Sequence, residues 1–488
     1  MSSTPIIPGY YPDPSICRAG DKYYIANSSF EYVPGVPIWE SSDLVTWDQV
    51  GNILTRPTQI VPTDGAASSG IYAPTLRYHG GRFWLVTTNV SDVQRGNLIV
   101  SSESPEGPWT DPVYTTGTLG FDPDLCWDED GVCHLTWASA YPQDLQGIAT
   151  VPVDPTTGEL LGKPHLIWPG SGLAHAEGPH LYRINGWWYL LLAEGGTERG
   201  HAVTIARART LDGEWEGAPH NPILTHRSTA LPVQNTGHAD LVELADGSWA
   251  MVYLGVRPRG VSPLFHTNGR ETFIAKVDWI DGWPVINEDH FDVPERDHSF
   301  TDRFDSGALD VRWIAPGAGP ERFVTLGASG ATLISDDTDP AARLLACRVR
   351  DLAWSAQATV RAGEGRARFQ VRIDADHFYG IDITAGAVVG LVNVGPARTV
   401  LESVAVTPGA DVTVRIAAAS APAEGFRPAN QPDLVSLSVV GADGNEQVLG
   451  EFDGRYLSTE VAGGFTGRVV GLEVLSGSVE LTEFTYAT

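Results

Sequence analysis

Residues 177–195 read EGPHLYRINGWWYLLLAEG. A short apolar segment, EGPHLYR at 177–183, meets a polar Gly-containing turn. A long aromatic and aliphatic run follows, so the stretch reads as a β-hairpin. The same pair occurs four more times: PDPSICR at 12–18 with DKYYIANS at 21–28, APTLRY at 73–78 with GGRFWLVTTN at 80–89, DPDLCW at 122–127 with EDGVCHLTWAS at 129–139, and HADLVEL at 238–244 with DGSWAMVYLG at 246–255. In three copies ten residues separate equivalent positions: Asp13 to Tyr23, Ala73 to Phe83 and Gly178 to Trp188. Third and fourth strands follow, as in VPIWESSDLVTWDQV at 36–50 and AVTIARARTLDGEWEGAP at 202–219. Copies of about 50–60 residues, each a four-stranded antiparallel unit, predict an all-β fold built on a five-bladed β-propeller. A lone blade leaves both sheet faces bare, and ring closure covers them while removing most exposed edges.

The repeats end near Pro294. Beyond them, alternating runs such as ARFQVRIDAD at 367–376, DVTVRIAAA at 411–419 and LVSLSVVGADG at 434–444 predict an antiparallel, jelly-roll-like β-sandwich. The expected division is a propeller over 1–296 and a sandwich over 297–488.

Composition narrows the function. With 32 Lys and Arg against 60 Asp and Glu, the net charge of −28 repels polyanions. Nucleic acid and anionic membrane surfaces are therefore excluded as partners, and no apolar run is long enough to span a bilayer. The N-terminus, MSSTPIIPGYYPDPS, shows neither the basic nor the apolar region of a secretory signal, so a cytoplasmic location is expected. Cys17, Cys126, Cys133 and Cys347 form no CxxC motif and are expected as small buried thiols, although Cys126 and Cys133 are placed to face each other across a hairpin.

One repeated position carries the chemistry. Where each inner strand opens onto the ring, the copies hold Asp13, Ala73, Asp122, Glu177 (one residue earlier in its copy) and His238. Strand packing explains the neighbouring Pro and Leu but not three carboxylates, which are desolvated and mutually repelling at such a site. Two carboxylates suffice for glycoside hydrolysis, one protonating the leaving oxygen and the other attacking the sugar or activating water. A third would raise the pKa of the acid. Phe30, Trp39, Tyr72 and Phe121 are candidate sugar platforms, each with a core role as the alternative.

The ordered set YPDPSICRAGDKYYIANSSFEYVPGVPIWESSDLVTW, GIYAPTLRYHGGRFWLV, GFDPDLCWDEDG, AEGPHLYRINGWWYLLLAEGG, HAVTIARARTLDGEW, GHADLVELADGSWAMVYLG and NGRETFIAKVDWIDGWPVI resembles glycoside hydrolase family 43 over almost all of residues 5–295. The resemblance implies Asp13 as general base, Asp122 rather than Asp124 as the residue that tunes the acid and positions substrate, and Glu177 as general acid. It maps the axial histidine onto His238, beside a calcium ion or water, and the arginine that reaches substrate hydroxyls onto Arg270. A hard cation with mostly water ligands suits such a channel; the alternative is a neutral imidazole. It further implies an inverting, exo-acting attack on a terminal pentose.

FTDRFDSGALDVRWIAPG at 300–317 and GGFTGRVVGLEVLSG at 463–477 are similar to the accessory sandwich of the β-xylosidase and arabinofuranosidase branches. That domain is expected either to lend a loop to the pocket or to act as a clamp without substrate contact. This chain departs from typical β-xylosidases at Tyr72, where they carry Trp, and at Phe265, His266, Thr267 and Asn268, where they carry Cys-Pro-Leu. Both places are expected at the pocket, with Tyr72 and Phe30 as walls and 265–268 as rim. They favour α-L-arabinofuranose, released from arabinoxylan- or arabinan-derived oligosaccharides, over the alternative of a β-D-xylosidase or dual activity. A non-catalytic sugar-binding propeller is the remote alternative. A retaining fructan-type enzyme would need an Asn-Asp-Pro-Asn segment, which is absent. No organic cofactor is expected, an oligosaccharide is the expected partner, and a homo-oligomer is compatible with the sequence.

Overall fold

Hairpin turns organise the first 287 residues. Asn185 and Gly186 both adopt positive φ between Ile184 and Trp187, a two-residue turn whose twist matches the strands it joins. The computed structural model describes residues 3–140, 147–335, 343–420 and 432–488.

Five four-stranded antiparallel sheets follow one another along the chain, each pairing its strands in sequence order. Their inner strands are Ser15–Ala19, Thr75–His79, Gly120–Trp127, Glu177–Ile184 and Gln234–Glu243. Each strand that follows, Lys22–Ala26, Arg82–Thr87, Cys133–Ser139, Trp187–Glu194 and Trp249–Val256, is almost wholly buried, as expected for a strand covered on both faces.

Apolar side chains fill the gaps between successive sheets and close the ring. Tyr24 and Ile38 of the first sheet pack with Phe83 and Leu98 of the second. Val86 of the second packs with Leu135 of the third, Ala138 of the third with Leu190 of the fourth, and Leu191 of the fourth with Met251 of the fifth. Val252 of the fifth then packs with Ile25 and Trp39 of the first. A buried polar hub joins all five inner strands at the axis. Ser15 Oγ donates to Asp240 Oδ2 at 2.6 Å, and Arg77 donates to Asp240 Oδ2 and to Asp124 Oδ1, each at 2.7 Å. Tyr182 Oη donates to Asp240 Oδ1, while the Leu181 N–H donates to Asp124 Oδ2.

The last strand of the ring ends at Asn287, and the next strand, Phe300–Asp302, belongs to a second unit. That unit is a sandwich of an eight-stranded and a six-stranded antiparallel sheet. Trp354–Arg361 alternates buried and half-buried residues, the pattern of a strand with one face on a core. Both sheets contribute to one core that includes Trp313, Phe369, Leu437 and Phe484. Ring and sandwich are fastened together where Tyr32–Val33 pairs with Ala315–Pro316 and where Tyr10, Tyr32, Ile314, Leu344 and Val469 pack.

All four cysteines are free thiols. Cys126 lies opposite His134 and Cys133 opposite Trp127, so the two thiols occupy opposite faces of their hairpin. No helix among the described residues is long and apolar enough to cross a membrane.

Candidate active site

The inner strands kink where they reach the mouth of the ring. Asp13, Asp122 and His238 hold φ values of 54°, 53° and 44°, a left-handed conformation that non-glycine residues seldom adopt. In the fourth sheet Gly178 takes this place with φ 57°. A Cβ there would come within 3.1–3.3 Å of the His238 ring, which accounts for the carboxylate of that copy standing one residue earlier, at Glu177. The pairing register breaks beside these positions in three sheets, between Phe121 and Asp124, Glu177 and His180, and Gly237 and Asp240. The bulges turn the side chains out of the sheet plane and into the mouth.

Asp13, Asp122, Glu177, His238 and Arg270 come together on one cavity of about 170 Å³, walled by Phe30, Tyr72 and Phe121. The three carboxylates, His238, Arg270 and three of the four aromatic candidates therefore lie there. Trp39 does not: it is buried against Tyr11 and packs in the core between the first and fifth sheets. Phe265–Asn268, expected as rim, is buried and turned toward the sandwich. His266 bonds Glu460, and the Asn268 side chain donates to the Arg350 carbonyl. The reversal occurs at Gly269, where φ is 74° and a Cβ would meet Tyr10 and Gly467.

The three carboxyls differ in surroundings. Asp13 accepts from Ser28 Oγ at 2.5 Å and from Arg270 NH1 at 2.9 Å, with His238 Nδ1 at 3.7 Å. Burial opposes its charge, but Arg270, His238 and the Ser28 bond together hold its carboxyl below the usual range. Glu177 is pushed up to about 7, first by burial and then by the Asp13 charge, against the pull of Arg270. Asp122 is raised well above its ordinary value by burial and by the charges of Glu177 and Asp13, although its Oδ2 accepts from the Gly178 N–H at 3.1 Å. Burial and Asp13 thus account for the raised Glu177, and Asp122 is itself raised rather than serving as the charge that raises it.

His238 is lowered to about 4 by burial, which outweighs the favourable Asp13 charge, so its ring is neutral near pH 7. Among the described residues no cluster of three or more His, Cys, Asp or Glu side chains is arranged to hold a metal ion. A cation at the axis would therefore have His238 as its side-chain donor and water for the rest. Arg270 is more engaged than the sequence suggests. Besides Asp13 it donates to Thr197 Oγ1 at 3.1 Å and to the Phe465 carbonyl at 3.3 Å.

Two further pocket residues escaped sequence reasoning. Thr197 follows the strand Trp187–Glu194, and nothing in its neighbours marks it. Phe465 comes from the sandwich. Its N–H donates to Ser68 Oγ at 2.8 Å, and its ring meets Phe30 and Tyr72 at centroid distances of 5.9 and 5.8 Å. Of the two expectations for the sandwich, the lent loop is the one the structure shows. The signal available in the sequence was the GGFTGRVVG stretch, whose paired glycines precede Phe465.

Residues 2–284 match the glycosyl hydrolases family 43, and residues 301–486 match the beta xylosidase C-terminal concanavalin A-like domain. A xylosidase/arabinosidase of Butyrivibrio fibrisolvens is 42% identical over 352 residues, covering 67% of each chain. A non-reducing end alpha-L-arabinofuranosidase of Bacteroides ovatus is 42% identical over 291 residues, covering 58% of this chain and 53% of its own. The chain thus spans about half to two thirds of the length of these curated relatives. Among solved structures, a xylan beta-1,4-xylosidase of Bacillus halodurans superposes with a TM-score of 0.87 at 29% identity, over 99% of both chains.

Proposed function

The chain belongs to glycosyl hydrolase family 43, and from that premise we propose that it is an inverting, exo-acting glycosidase releasing a terminal pentose from hemicellulose-derived oligosaccharides. The observation that carries this reading is the opposite treatment of two carboxyls in one small cavity: Asp13 kept charged by Arg270, Glu177 kept protonated up to about pH 7. We read the five sheets as the five blades of one propeller and place the division between catalytic and accessory units at residues 296 and 297. The ring of sheet contacts and the gap between Asn287 and Phe300 support both assignments.

In this mechanism the bound pentose occupies the cavity, whose volume lies well below the ~300–1,000 Å³ of typical drug-sized ligand sites and so suits one sugar. Asp13 accepts a proton from water as the water oxygen bonds to the anomeric carbon. The bond from that carbon to the leaving oxygen breaks, and Glu177 supplies the proton the leaving group needs. Proton exchange with solvent then restores both residues. Asp122, whose carboxyl is raised by burial and by its carboxylate neighbours, lines the cavity where it can meet a sugar hydroxyl. Arg270 lines the same cavity, and its N–H groups not engaged by Asp13, Thr197 and Phe465 are available to sugar hydroxyls. Calcium beside His238 is retained as a structural proposal only. An inverting route requires roughly 6.5–9.5 Å between the two carboxyls so that water fits.

We favour α-L-arabinofuranose as the sugar. With Phe265–Asn268 turned away, this preference rests on Tyr72, which lines the cavity. The β-D-xyloside reading stands beside it because the C-terminal unit matches the beta xylosidase domain and relatives carry both names. Kinetics on paired aryl α-L-arabinofuranoside and β-D-xyloside substrates distinguish them, and proton NMR of the first-formed anomer tests inversion. A first product that retains configuration would refute the mechanism.

A further inference from the structure

Phe465 stands between two cavities. On one side lies the catalytic pocket of about 170 Å³, on the other a hollow of about 500 Å³ between ring and sandwich. Thr197, Arg270 and Phe465 line both, so the Phe465 ring and the guanidinium it stacks against form the partition. Phe465 belongs to a strap that leaves the short helix Thr459–Ala462 through Gly463 and Gly464, both at positive φ. Two glycines in succession give the strap little intrinsic stiffness. Its placement must come from tethers.

Phe465 itself bonds Ser68 through its N–H and Arg270 through its carbonyl, and the strap is fastened on either side of it. After Phe465 the strap is clasped by the Arg468 N–H donating to the Thr267 carbonyl at 3.2 Å. Close packing of Gly467 on Asn268 and Gly269 adds to that clasp, since a Cβ on Gly467 would lie 2.4 Å from the Asn268 carbonyl oxygen. Before Phe465 the strap is tied through Glu460. Its Oε2 accepts the backbone N–H of His266 at 3.0 Å, and its Oε1 lies 2.8 Å from His266 Nδ1. The helix has a single turn and would not persist unaided. Burial opposes ionisation of Glu460, yet the hydrogen bond and charge of His266 hold its carboxyl below the usual range.

We propose that His266 and Glu460 are positioning residues: their bonds across the two units hold Phe465 as the partition and thereby confine the site to a single terminal sugar. With the tie cut, the glycine pair lets Phe465 retreat into the hollow, and the two cavities merge. The loosened site then binds a lone pentose less tightly and admits a sugar bearing a further substituent. This inference rests on the pentosidase reading for its kinetic consequence, whereas the tethering itself does not.

The test compares Glu460→Ala with Glu460→Gln, which keeps an acceptor for the His266 N–H. Hydrogen exchange of the peptide spanning 459–468, read by mass spectrometry, reports the strap whatever the substrate. In Glu460→Ala that peptide should exchange roughly 10-fold faster while the rest of the sandwich is unchanged. For the preferred aryl pentoside, KM should rise about 5- to 10-fold with kcat within about threefold. Hydrolysis of an oligosaccharide whose terminal pentose bears a second pentose should rise about 5-fold relative to the unsubstituted one. Glu460→Gln should stay within about twofold of the wild type on all three measures. Should Glu460→Ala fail to fold, His266→Ala, which retains the backbone bond, should show the same pattern at smaller size. A Glu460→Ala protein with a lowered melting temperature but wild-type exchange and KM would make the pair a stability contact only and overturn the proposal. So would a Glu460→Gln protein as impaired as Glu460→Ala. Wild-type protein inactive on both aryl pentosides would refute the pentosidase reading alone, because exchange still decides the tether.

Discussion

Asp13 and Glu177 stand at the same level of the ring, at the mouths of the first and fourth sheets, and end in opposite states. Asp13 is itself the kinked residue, and Ser28, Arg270 and His238 surround its carboxyl. Glu177 precedes the kink, which Gly178 takes instead, and among the described residues no group hydrogen-bonds to its carboxyl. Burial and the pull of Arg270 act on both, but only Asp13 bonds the guanidinium directly, at 2.9 Å, and its charge in turn pushes Glu177 up. In the proposed mechanism the division into base and acid thus follows from which carboxyl bonds the guanidinium rather than from the choice of Asp or Glu.

The largest break in this contrast is Asp13→Ala, which removes the proposed general base. It should lower kcat/KM by about 10²–10⁴-fold on every substrate, whatever its leaving group. A substantial rescue on activated aryl substrates would give Asp13 the acid's role. Glu177→Ala should match that loss only for poorly leaving sugars and fall well short of it for dinitrophenyl glycosides, since those leave without a proton. In the wild type the alkaline limb of kcat/KM should lie near pH 7, where Glu177 loses its proton, and Glu177→Ala should abolish that limb.

Stability gives a third and smaller readout. Because the folded protein holds the Glu177 proton up to about pH 7 and the unfolded chain releases it near the ordinary carboxylate value, ionising Glu177 destabilises the fold. Glu177→Gln removes that burden, so it should stabilise the protein by ~3 kcal/mol above pH 7. The gain should shrink as pH falls and vanish below about pH 4.5, where both states carry the proton. Urea titrations at pH 8 and pH 4 check it, and an equal gain at both would assign the effect to packing. Smallest is Arg270→Lys. A lysine keeps charge near Asp13 but loses the fork that also reaches Thr197 and Phe465, so kcat/KM should fall roughly 10-fold. The acid limb should move upward as Asp13 becomes easier to protonate, and an unmoved limb would separate Arg270 from the base.

The order of propeller and sandwich was legible because local rules write it: turn residues every few strands and apolar runs in phase. The carboxylates were legible for the complementary reason, since in-phase acids at a place where packing asks for none need another explanation. Asp122 and Asp124, two residues apart, are separated by the structure. Asp122 lines the cavity while Asp124 is fully buried against Arg77. Thr197 was illegible, and Phe465 was marked only by the paired glycines before it, because the role of each depends on contacts between segments far apart in the chain. Trp39 and Phe265–Asn268 were misplaced by proximity in sequence. The left-handed turn at Gly269 separates His266, which bonds Glu460 of the sandwich, from Arg270, which reaches Asp13 in the catalytic cavity.

The hub at the axis bears on how such a ring assembles. Arg77 draws its two carboxylates from the third and fifth sheets, and Asp240 in turn binds groups of the first and fourth. In an open solenoid each repeat satisfies itself against its neighbours, so folding nucleates anywhere and spreads, and shortened arrays remain viable. Here a chain ending before Asp240 would leave Arg77 lacking one of its two counter-charges. Stranding a buried charge in this way costs about 3–5 kcal/mol, a large share of a domain's net stability. The ring is therefore built to fold as a unit, with its last inner strand supplying the charge that makes the earlier four worth keeping closed.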